Sequence, residues 1–204
     1  MSMWHKLGIE NADMALQEEF LAATEATNIL RQLLTKINWR RDSIRLFGQS
    51  HPIPRMHQWH AEPGINYTWS GLTMRAEPWF PELDKLRQQV ELATNGRFNS
   101  VLINLYRDGS DSMGWHSDDE PELGPEPTIA SLSLGAERDF LLRSVNTDAR
   151  EDKHCIKLGH GSLLLMQGRT QQNWQHALPR RLRVKEARIN LTFRWINTEQ
   201  NDRD

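Results

Sequence analysis

Three residues with metal-binding side chains have a spacing that suits a catalytic metal. His116 and Asp118 are two residues apart, so they project to the same side of an extended chain. His176, much later in the chain, could add a second imidazole. Two histidines and one carboxylate on one face leave three positions of an octahedral Fe(II) open. Taken alone, an H-x-D pair is more often incidental, and the same ligand types could hold a hydrolytic zinc.

A strand near the C-terminus has a polar face that suits an anionic ligand. In the segment RINLTFRW the side chains alternate between two faces, so Asn190 and Thr192 share one face with Arg188 and Arg194. If that face meets water, this is an ordinary half-exposed strand. If it points inward, the two guanidinium groups require anionic partners, because unpaired buried charge is costly. A dicarboxylate would supply them, since arginine binds carboxylates through two parallel hydrogen bonds.

A second strand-like segment could add to the same cavity. In VLINLY, Asn104 and Tyr106 share one face and could donate hydrogen bonds into it. They could equally be the end of a strand that runs into the turn at 107–109. A zinc hydrolase would use the metal ligands but would leave the two arginines and this pair without a role. The combination therefore favours an iron enzyme with a dicarboxylate co-substrate.

The elements that must position these residues are helices followed by short strands. Apolar spacing predicts a helix over 11–35, and a second helix begins at Pro81 and ends at Asn95-Gly96. Strand-like runs separated by turn residues occupy 100–106, 129–135, 138–143, 153–158, 162–166 and 188–196. This order predicts a mostly β (α+β) fold, a β-sandwich or jelly roll with the N-terminal helices packed on one side.

Composition excludes several classes of protein. The chain has 204 residues, a formal charge of −2 and one cysteine, Cys155. It therefore has no internal disulfide framework or thiolate metal site, and it is not a polycation that binds nucleic acid by bulk attraction. No apolar run approaches the roughly 18 residues of a membrane span. We expect an intracellular, cytoplasmic protein with no membrane partner, whose basic residues cluster locally over 36–55 and 180–188.

Many short motifs between residues 46 and 196 resemble the AlkB family of Fe(II)/2-oxoglutarate dioxygenases. The resemblance is closest to the branch of the second and third human AlkB homologues. We recognise no such motif in the first 40 residues. The N-terminus also shows no recognisable partner-binding or nuclear-targeting segment, which leads us to expect a compact bacterial protein. The matching stretches are LFG…PR, GINYTWSGLT, PWFPEL, FNSVLINLYRDG, HSDDE, IASLSLGAERDFLLR, LGHGSLLLM, WQHALPRR and RINLTFR.

The resemblance implies a fold, a site and a reaction. The core would be a double-stranded β-helix, with Fe(II) held by His116, Asp118 and His176. Arg188 would pair with the distal carboxylate of 2-oxoglutarate, and the rest of that pocket would comprise Asn104, Tyr106, Asn190, Thr192 and Arg194. The reaction would be DNA repair by oxidative demethylation of 1-methyladenine and 3-methylcytosine. It consumes 2-oxoglutarate and O2 and releases succinate, CO2 and formaldehyde.

The resemblance also implies contacts with the alkylated base, which must leave the duplex stack to reach the metal. Trp69, two residues after Tyr67, would stack on the flipped base, with Tyr67 also at the substrate, and Glu120 would accept a hydrogen bond from an exocyclic amine. Glu120 and Asp119 together would suit a cationic lesion. The apolar wedge that fills the gap in the duplex would be Leu46-Phe47-Gly48, within the basic run that ends at Arg55.

These expectations define three segments and leave two alternatives. Residues 1–40 would be a helical extension, 41–99 a nucleotide-recognition region and 100–204 the dioxygenase core, all within one compact domain. We expect a monomer that acts on single- or double-stranded DNA. The same chemistry on RNA or on a non-nucleic-acid substrate is one alternative. A non-catalytic nucleic-acid-binding module is the other, although such a module would not need the metal ligands and the arginines together.

Overall fold

The computed structural model describes residues 3–46, 49–65, 67–69, 72–74, 76–146 and 153–198. Three helices are present in these ranges, α1 (Ala23–Lys36), α2 (Pro81–Thr94) and α3 (Thr170–Asn173), with a short 3-10 turn at Pro121–Leu123. The strands are β1 (His5–Lys6), β2 (Asp13–Gln17), β3 (Ser43–Leu46), β4 (Gln49–Pro52), β5 (Met56–Ala61), β6 (Tyr67–Trp69), β7 (Leu72–Met74), β8 (Ser100–Tyr106), β9 (Met113–His116), β10 (Ile129–Gly135), β11 (Arg138–Ser144), β12 (Lys153–Leu158), β13 (Leu163–Gln167), β14 (Trp174–Leu178) and β15 (Arg188–Arg194).

Two antiparallel sheets form the body of the molecule. The larger sheet has seven strands in the order β1-β2-β13-β10-β15-β8-β5, and the smaller has the order β12-β11-β14-β9. Apart from the consecutive pairs β1–β2 and β11–β12, neighbouring strands in both sheets are not consecutive in the chain, as the crossing connections of a jelly roll require. The expected mostly β fold, with a double-stranded β-helix core, is confirmed. Two hairpins, β3–β4 and β6–β7, stand apart from both sheets.

Helices α1 and α2 cover the outer face of the larger sheet. The apolar side of β15, with Ile189, Leu191 and Phe193 fully buried, belongs to the same core cluster as Leu33 of α1 and Leu86 of α2. Burial of one face of each helix stabilises the sheet by removing apolar area from water. The other face of β15 is therefore directed between the two sheets. The prediction of N-terminal helices packed on one side is confirmed.

The prediction of one helix over residues 11–35 is wrong at its start. Residues 13–17 form strand β2, which pairs with β13 in the larger sheet, and α1 begins only at Ala23. Met14 and Leu16 are buried while Asp13 is exposed, which is the period-two pattern of a strand. Leu16 fits both the strand and the helical spacing, and this overlap accounts for the error.

Among the described residues, no helix has the length and apolar character to cross a membrane.

The remaining elements agree with the sequence pattern. Helix α2 begins at Pro81 and ends before Asn95, whose φ of 52° places it in the left-handed region. All six predicted strands are present in the described chain, with ends shifted by at most two residues. Division of the chain into segments 1–40, 41–99 and 100–204 stays a prediction about function. Structurally, β1, β2 and β5 complete the larger sheet together with strands from beyond residue 100.

Candidate active site

The pairing of two strands brings the predicted metal ligands together. His116 is the last residue of β9, and His176 in the middle of β14 lies directly opposite it in the antiparallel ladder. Their ring centroids are 4.1 Å apart. Asp118 follows two residues after His116, and its Oδ1 lies 3.7 Å from His116 Nε2. One ligand atom from each of the three residues lies within 4.8 Å of the others, so a single metal ion can contact all three.

Hydrogen bonds fix the orientation of two of the three side chains, those of His116 and Asp118. His116 Nδ1 lies 2.9 Å from the carbonyl oxygen of Gly114. A proton on Nδ1 donated there leaves Nε2 as the metal-binding atom. The carboxylate of Asp118 accepts a 2.7 Å hydrogen bond from Arg194 Nη2 through Oδ2. Its backbone N–H donates to Gln171 Oε1 at 2.9 Å. These two ligands are therefore held in place by neighbouring protein groups.

The electrostatics favour the protonation states that metal binding needs. Burial opposes ionisation of Asp118, but the charge of Arg194, followed by the two histidines, outweighs it and holds the pKa of Asp118 well below its usual range. Burial, followed by the proximity of His116, lowers the pKa of His176 to about 3. Asp118 is thus ionised and His176 neutral near pH 7, so neither must lose a proton to bind a metal.

The donor set fits Fe(II). Two neutral imidazoles and one carboxylate on the same side of a metal are the facial triad of non-haem iron oxygenases, which leaves three positions for other ligands. Phe140 stacks on His176 with the ring centroids 5.0 Å apart and limits access from that side. The pocket next to the ligands is lined by residues from both sheets, so a co-substrate there could reach the open side of the metal.

The polar face of β15 points into this pocket. Arg188, Thr192 and Arg194 are buried, and Asn190 is partly buried. The ladder between β15 and β8 places Arg188 opposite Tyr106 and Asn190 opposite Asn104. The interpretation of β15 as a half-exposed strand is therefore ruled out. All nine residues predicted for the metal and the co-substrate line one pocket, namely Asn104, Tyr106, His116, Asp118, His176, Arg188, Asn190, Thr192 and Arg194.

Arg188 is a buried cation that fits an anionic co-substrate. Its side chain is 2% exposed, and Nη2 donates to Ser133 Oγ at 2.9 Å. Among the described residues, no hydrogen-bond partner contacts its Nε or Nη1. Burial lowers the pKa of Arg188 to about 10, so the group stays charged at neutral pH. Two open donors on a buried guanidinium match the two oxygens of a carboxylate, as the distal carboxylate of 2-oxoglutarate requires.

Five of the residues predicted to contact the base or the duplex have side chains outside the described residues. Tyr67 and Trp69 belong to strand β6, and Leu46 ends strand β3, but all three side chains lie outside the described residues. Phe47 and Gly48 lie outside them entirely. Their proposed contacts with the base therefore stay predictions.

The three charged residues expected at the substrate have different surroundings. Asp119 is exposed and Glu120 is partly buried, and both immediately follow the Asp118 ligand. Arg55 is only 4% exposed. Its Nε donates a 2.9 Å hydrogen bond to Asn104 Oδ1, so this guanidinium contacts a residue that lines the co-substrate pocket.

Two residues of the site were not found from the sequence. Gln171, in the short helix α3, fixes the backbone at Asp118, and no local signal marks it. Arg138 is 2% exposed, and its Nη2 donates to the carbonyl oxygens of Asp111 and Pro179. The alternation of strand β11 puts Arg138 on the same face as Phe140, so its inward position could have been inferred.

Comparison with known proteins agrees with this geometry. The sequence profile of the 2OG-Fe(II) oxygenase superfamily matches residues 13–194, and the chain belongs to that superfamily. It is an Fe(II)- and 2-oxoglutarate-dependent dioxygenase, so the expected enzyme class and the requirement for Fe(II), 2-oxoglutarate and O2 are confirmed.

Within the superfamily the chain is similar to AlkB homologues. DNA oxidative demethylase ALKBH2 of Homo sapiens is 38% identical over 201 residues, which cover 95% of this chain and 77% of the relative. The ALKBH2 of Mus musculus is 41% identical, with 84% and 75% covered. Alpha-ketoglutarate-dependent dioxygenase alkB homolog 3 of Homo sapiens is 40% identical, with 90% and 66% covered. The resemblance to this branch is confirmed.

A solved structure supports the fold. The structure of OsALKBH1 superposes with a TM-score of 0.62 at 20% sequence identity, covering 89% of this chain and 97% of that chain. At this level of identity the agreement concerns the fold alone. It matches the two-sheet body described above.

Proposed function

We propose that this enzyme repairs DNA by oxidative demethylation of N-alkylated bases, with 1-methyladenine and 3-methylcytosine as its substrates. The observation that carries the proposal is the single pocket in which a His-Asp-His cluster lies beside a buried arginine with two open donors. Its similarity to proteins named DNA oxidative demethylase extends over 84–95% of the chain. The proposal includes a monomer that acts inside the cell.

The protein's part in the reaction is to bind and orient. His116, Asp118 and His176 would hold the iron. With 2-oxoglutarate and O2, the bound iron supplies the oxidising power that converts an N-methyl group to formaldehyde and co-substrate to succinate and CO2. Arg194 holds one carboxylate oxygen of Asp118 and so fixes the direction of the other.

The co-substrate pocket would orient 2-oxoglutarate. Arg188 presents two donors to its distal carboxylate, and Tyr106 lies against the same guanidinium, 5.4 Å from ring centre to Cζ. Asn104, Asn190, Thr192 and Arg194 complete the pocket. Strands β8 and β15 are interior strands of the seven-stranded sheet, each paired on both sides, so these side chains project from a rigid surface and lose little freedom when the co-substrate binds.

The lesion itself is attracted and positioned by a second group of residues. 1-Methyladenine and 3-methylcytosine carry positive charge, and Asp119 and Glu120 place two carboxyl groups directly after the Asp118 ligand. Trp69 would stack on the flipped base, a contact worth roughly 1–3 kcal/mol, and Tyr67 would also contact the substrate. The wedge Leu46-Phe47-Gly48 would occupy the gap left in a duplex.

The test is anaerobic reconstitution with Fe(II) and 2-oxoglutarate, followed by air and an oligodeoxynucleotide with one 3-methylcytosine. Mass spectrometry should show loss of one methylene from the oligonucleotide, dependent on each of the three reactants. A matched oligoribonucleotide serves as a parallel arm, and faster repair of it would transfer the proposal to RNA. Formation of succinate with no change in either oligonucleotide would contradict the nucleic-acid substrate. Tight binding of the methylated strand without any turnover would favour the non-catalytic module.

A further inference from the structure

Arg55 occupies an unusual position for a residue in a basic run. It follows the β3–β4 hairpin and immediately precedes strand β5, which is the edge strand of the seven-stranded sheet next to β8. Its guanidinium is buried at 4% exposure, and Nε reaches Asn104 Oδ1 of β8 at 2.9 Å. A buried cation of this kind is retained at a cost in desolvation. Its position on the inner side of β8 therefore calls for a role other than surface charge.

The hydrogen bond from Arg55 determines which way the Asn104 amide faces. With Oδ1 accepting from Arg55, the Nδ2 amine, which carries two donors, occupies the opposite end of the amide. Among the described residues, none accepts a hydrogen bond from Asn104 Nδ2. The partner across the ladder, Asn190, differs because its Nδ2 already donates to Ser131 Oγ at 2.8 Å and to the carbonyl oxygen of Leu132 at 3.1 Å. Asn104 is therefore the amide whose donors are open.

We propose that Arg55 is a positioning residue for 2-oxoglutarate: by holding the amide oxygen of Asn104, it turns the amide N–H donors into the pocket where the anionic co-substrate binds. The inference rests on the proposed co-substrate pocket but not on the nucleic-acid substrate. The expectation that Arg55 contacts the substrate stays a separate prediction, and at 4% exposure its guanidinium offers little surface to a phosphate. A reversed Asn104 amide would place its oxygen against the carboxylates of 2-oxoglutarate, where like partial charges repel.

A double-mutant cycle tests the proposal. The variants Arg55→Met, Asn104→Ala and the double variant are loaded anaerobically with Fe(II), and 2-oxoglutarate binding is measured by calorimetry without nucleic acid. Each single change should raise the Kd for 2-oxoglutarate about tenfold, equal to about 1.4 kcal/mol. The double variant should be no more than about twofold weaker than Asn104→Ala alone, because Arg55 acts through Asn104. Arg55→Lys, which keeps the charge and an N–H donor group, should recover part of the affinity.

Matched controls separate positioning from general charge and from stability. Arg97→Met removes the same charge from an exposed site just before β8 and should leave the Kd unchanged. At saturating 2-oxoglutarate, the kcat of Arg55→Met should stay within about twofold of wild type while the KM for 2-oxoglutarate rises about tenfold. A merely structural role would instead lower kcat and the thermal midpoint of unfolding, without a selective rise in the KM for 2-oxoglutarate.

Three results would overturn the proposal. A double variant about a hundredfold weaker than wild type would mean that Arg55 acts by charge alone. An unchanged Kd in Arg55→Met, combined with weaker binding of methylated DNA, would favour the substrate-contact role instead. If Arg55→Met does not fold, Asn104→Asp serves instead: it keeps an acceptor for Arg55 but replaces the open donors by an oxygen. Its Kd should rise at least tenfold, and wild-type binding would contradict the assignment.

Discussion

Replacing Arg188 by methionine should weaken co-substrate binding while leaving the free protein as stable as before. The guanidinium is 2% exposed, its Nη2 donates to Ser133 Oγ, and it also interacts with Tyr106. Its Nε and Nη1 are directed at no described acceptor. Methionine fills a similar volume, has no charge to desolvate and needs no anion. The substitution therefore separates the cost of holding a buried cation from its benefit in binding.

The magnitudes follow from the open donors. Hydrogen bonds to charged groups contribute roughly 1.5–3 kcal/mol each. Two such bonds, taken at the low end, contribute about 3 kcal/mol, or about a hundredfold in the Kd for 2-oxoglutarate. In the ligand-free protein, losing the charged hydrogen bond to Ser133 costs roughly 1.5–3 kcal/mol, and relief of the buried charge offsets this cost. The free energy of unfolding should thus stay within about 1 kcal/mol of wild type.

Two measurements on the same preparation check this. Calorimetric titration of the Fe(II)-loaded protein under nitrogen gives the Kd, and urea unfolding of the ligand-free protein gives its stability. Arg143→Met is the matched control: Arg143 is partly buried on β11, where it packs over Trp115 and donates to Gln175. It should lose stability and keep its affinity for 2-oxoglutarate. The reasoning is refuted if Arg188→Met binds 2-oxoglutarate normally or unfolds several kcal/mol more easily.

The remaining predictions concern the metal, the backbone and the wedge. Asp118→Ala should abolish turnover and Fe(II) binding measured by equilibrium dialysis, whereas His154→Ala, at an exposed histidine of β12, should retain both; iron retained by the first variant would refute the ligand assignment. Gly135→Ala should destabilise the protein by about 2 kcal/mol or more in urea unfolding, because φ is +91° and a Cβ would lie 2.3 Å from a carbonyl oxygen. Gly159→Ala, with its nearest contact at 3.8 Å, should be nearly neutral, and equal losses would contradict the steric argument. Phe47→Ala should slow repair of a duplex more than of a single strand in the mass assay; equal slowing would remove the wedge.

The parts of the fold that the sequence predicted are those determined by local pattern. Strand β15 alternates strictly between apolar and polar residues, and helix α2 has Pro81 at its start and Asn95 after its end. Such signals depend on near neighbours in the chain and need no knowledge of tertiary contacts. Strand β2 was missed because its partner β13 is far away in sequence. Its few residues also fit the helical spacing that continues into α1.

The candidate site was predictable where a residue type would be unfavourable at its position unless it bound a ligand. Arg188 and Arg194 share one strand face, and two buried guanidinium groups are costly unless they bind an anion. The H-x-D pair and the later histidine supply a complete set of metal ligands. The surroundings of Arg55 were not predictable, because the burial of that side chain depends on how the residue before β5 packs against β8. Gln171 was missed for a similar reason: it meets Asp118 only through the fold.

The direct pairing of His116 with His176 also links iron to the mechanics of the smaller sheet. Strand β9 is an edge strand whose one sheet partner is β14, and their register shifts just beyond His176. On the proposed ligation, one ion would cross-link the edge strand β9 to its neighbour β14 through His116 and His176. Iron present at 100 times its Kd would add about 2.7 kcal/mol to the folded state. Depletion of iron should therefore weaken the attachment of the Met113–His116 strand. Amide hydrogen exchange in that strand should then be faster in the iron-free protein than in the iron-loaded protein.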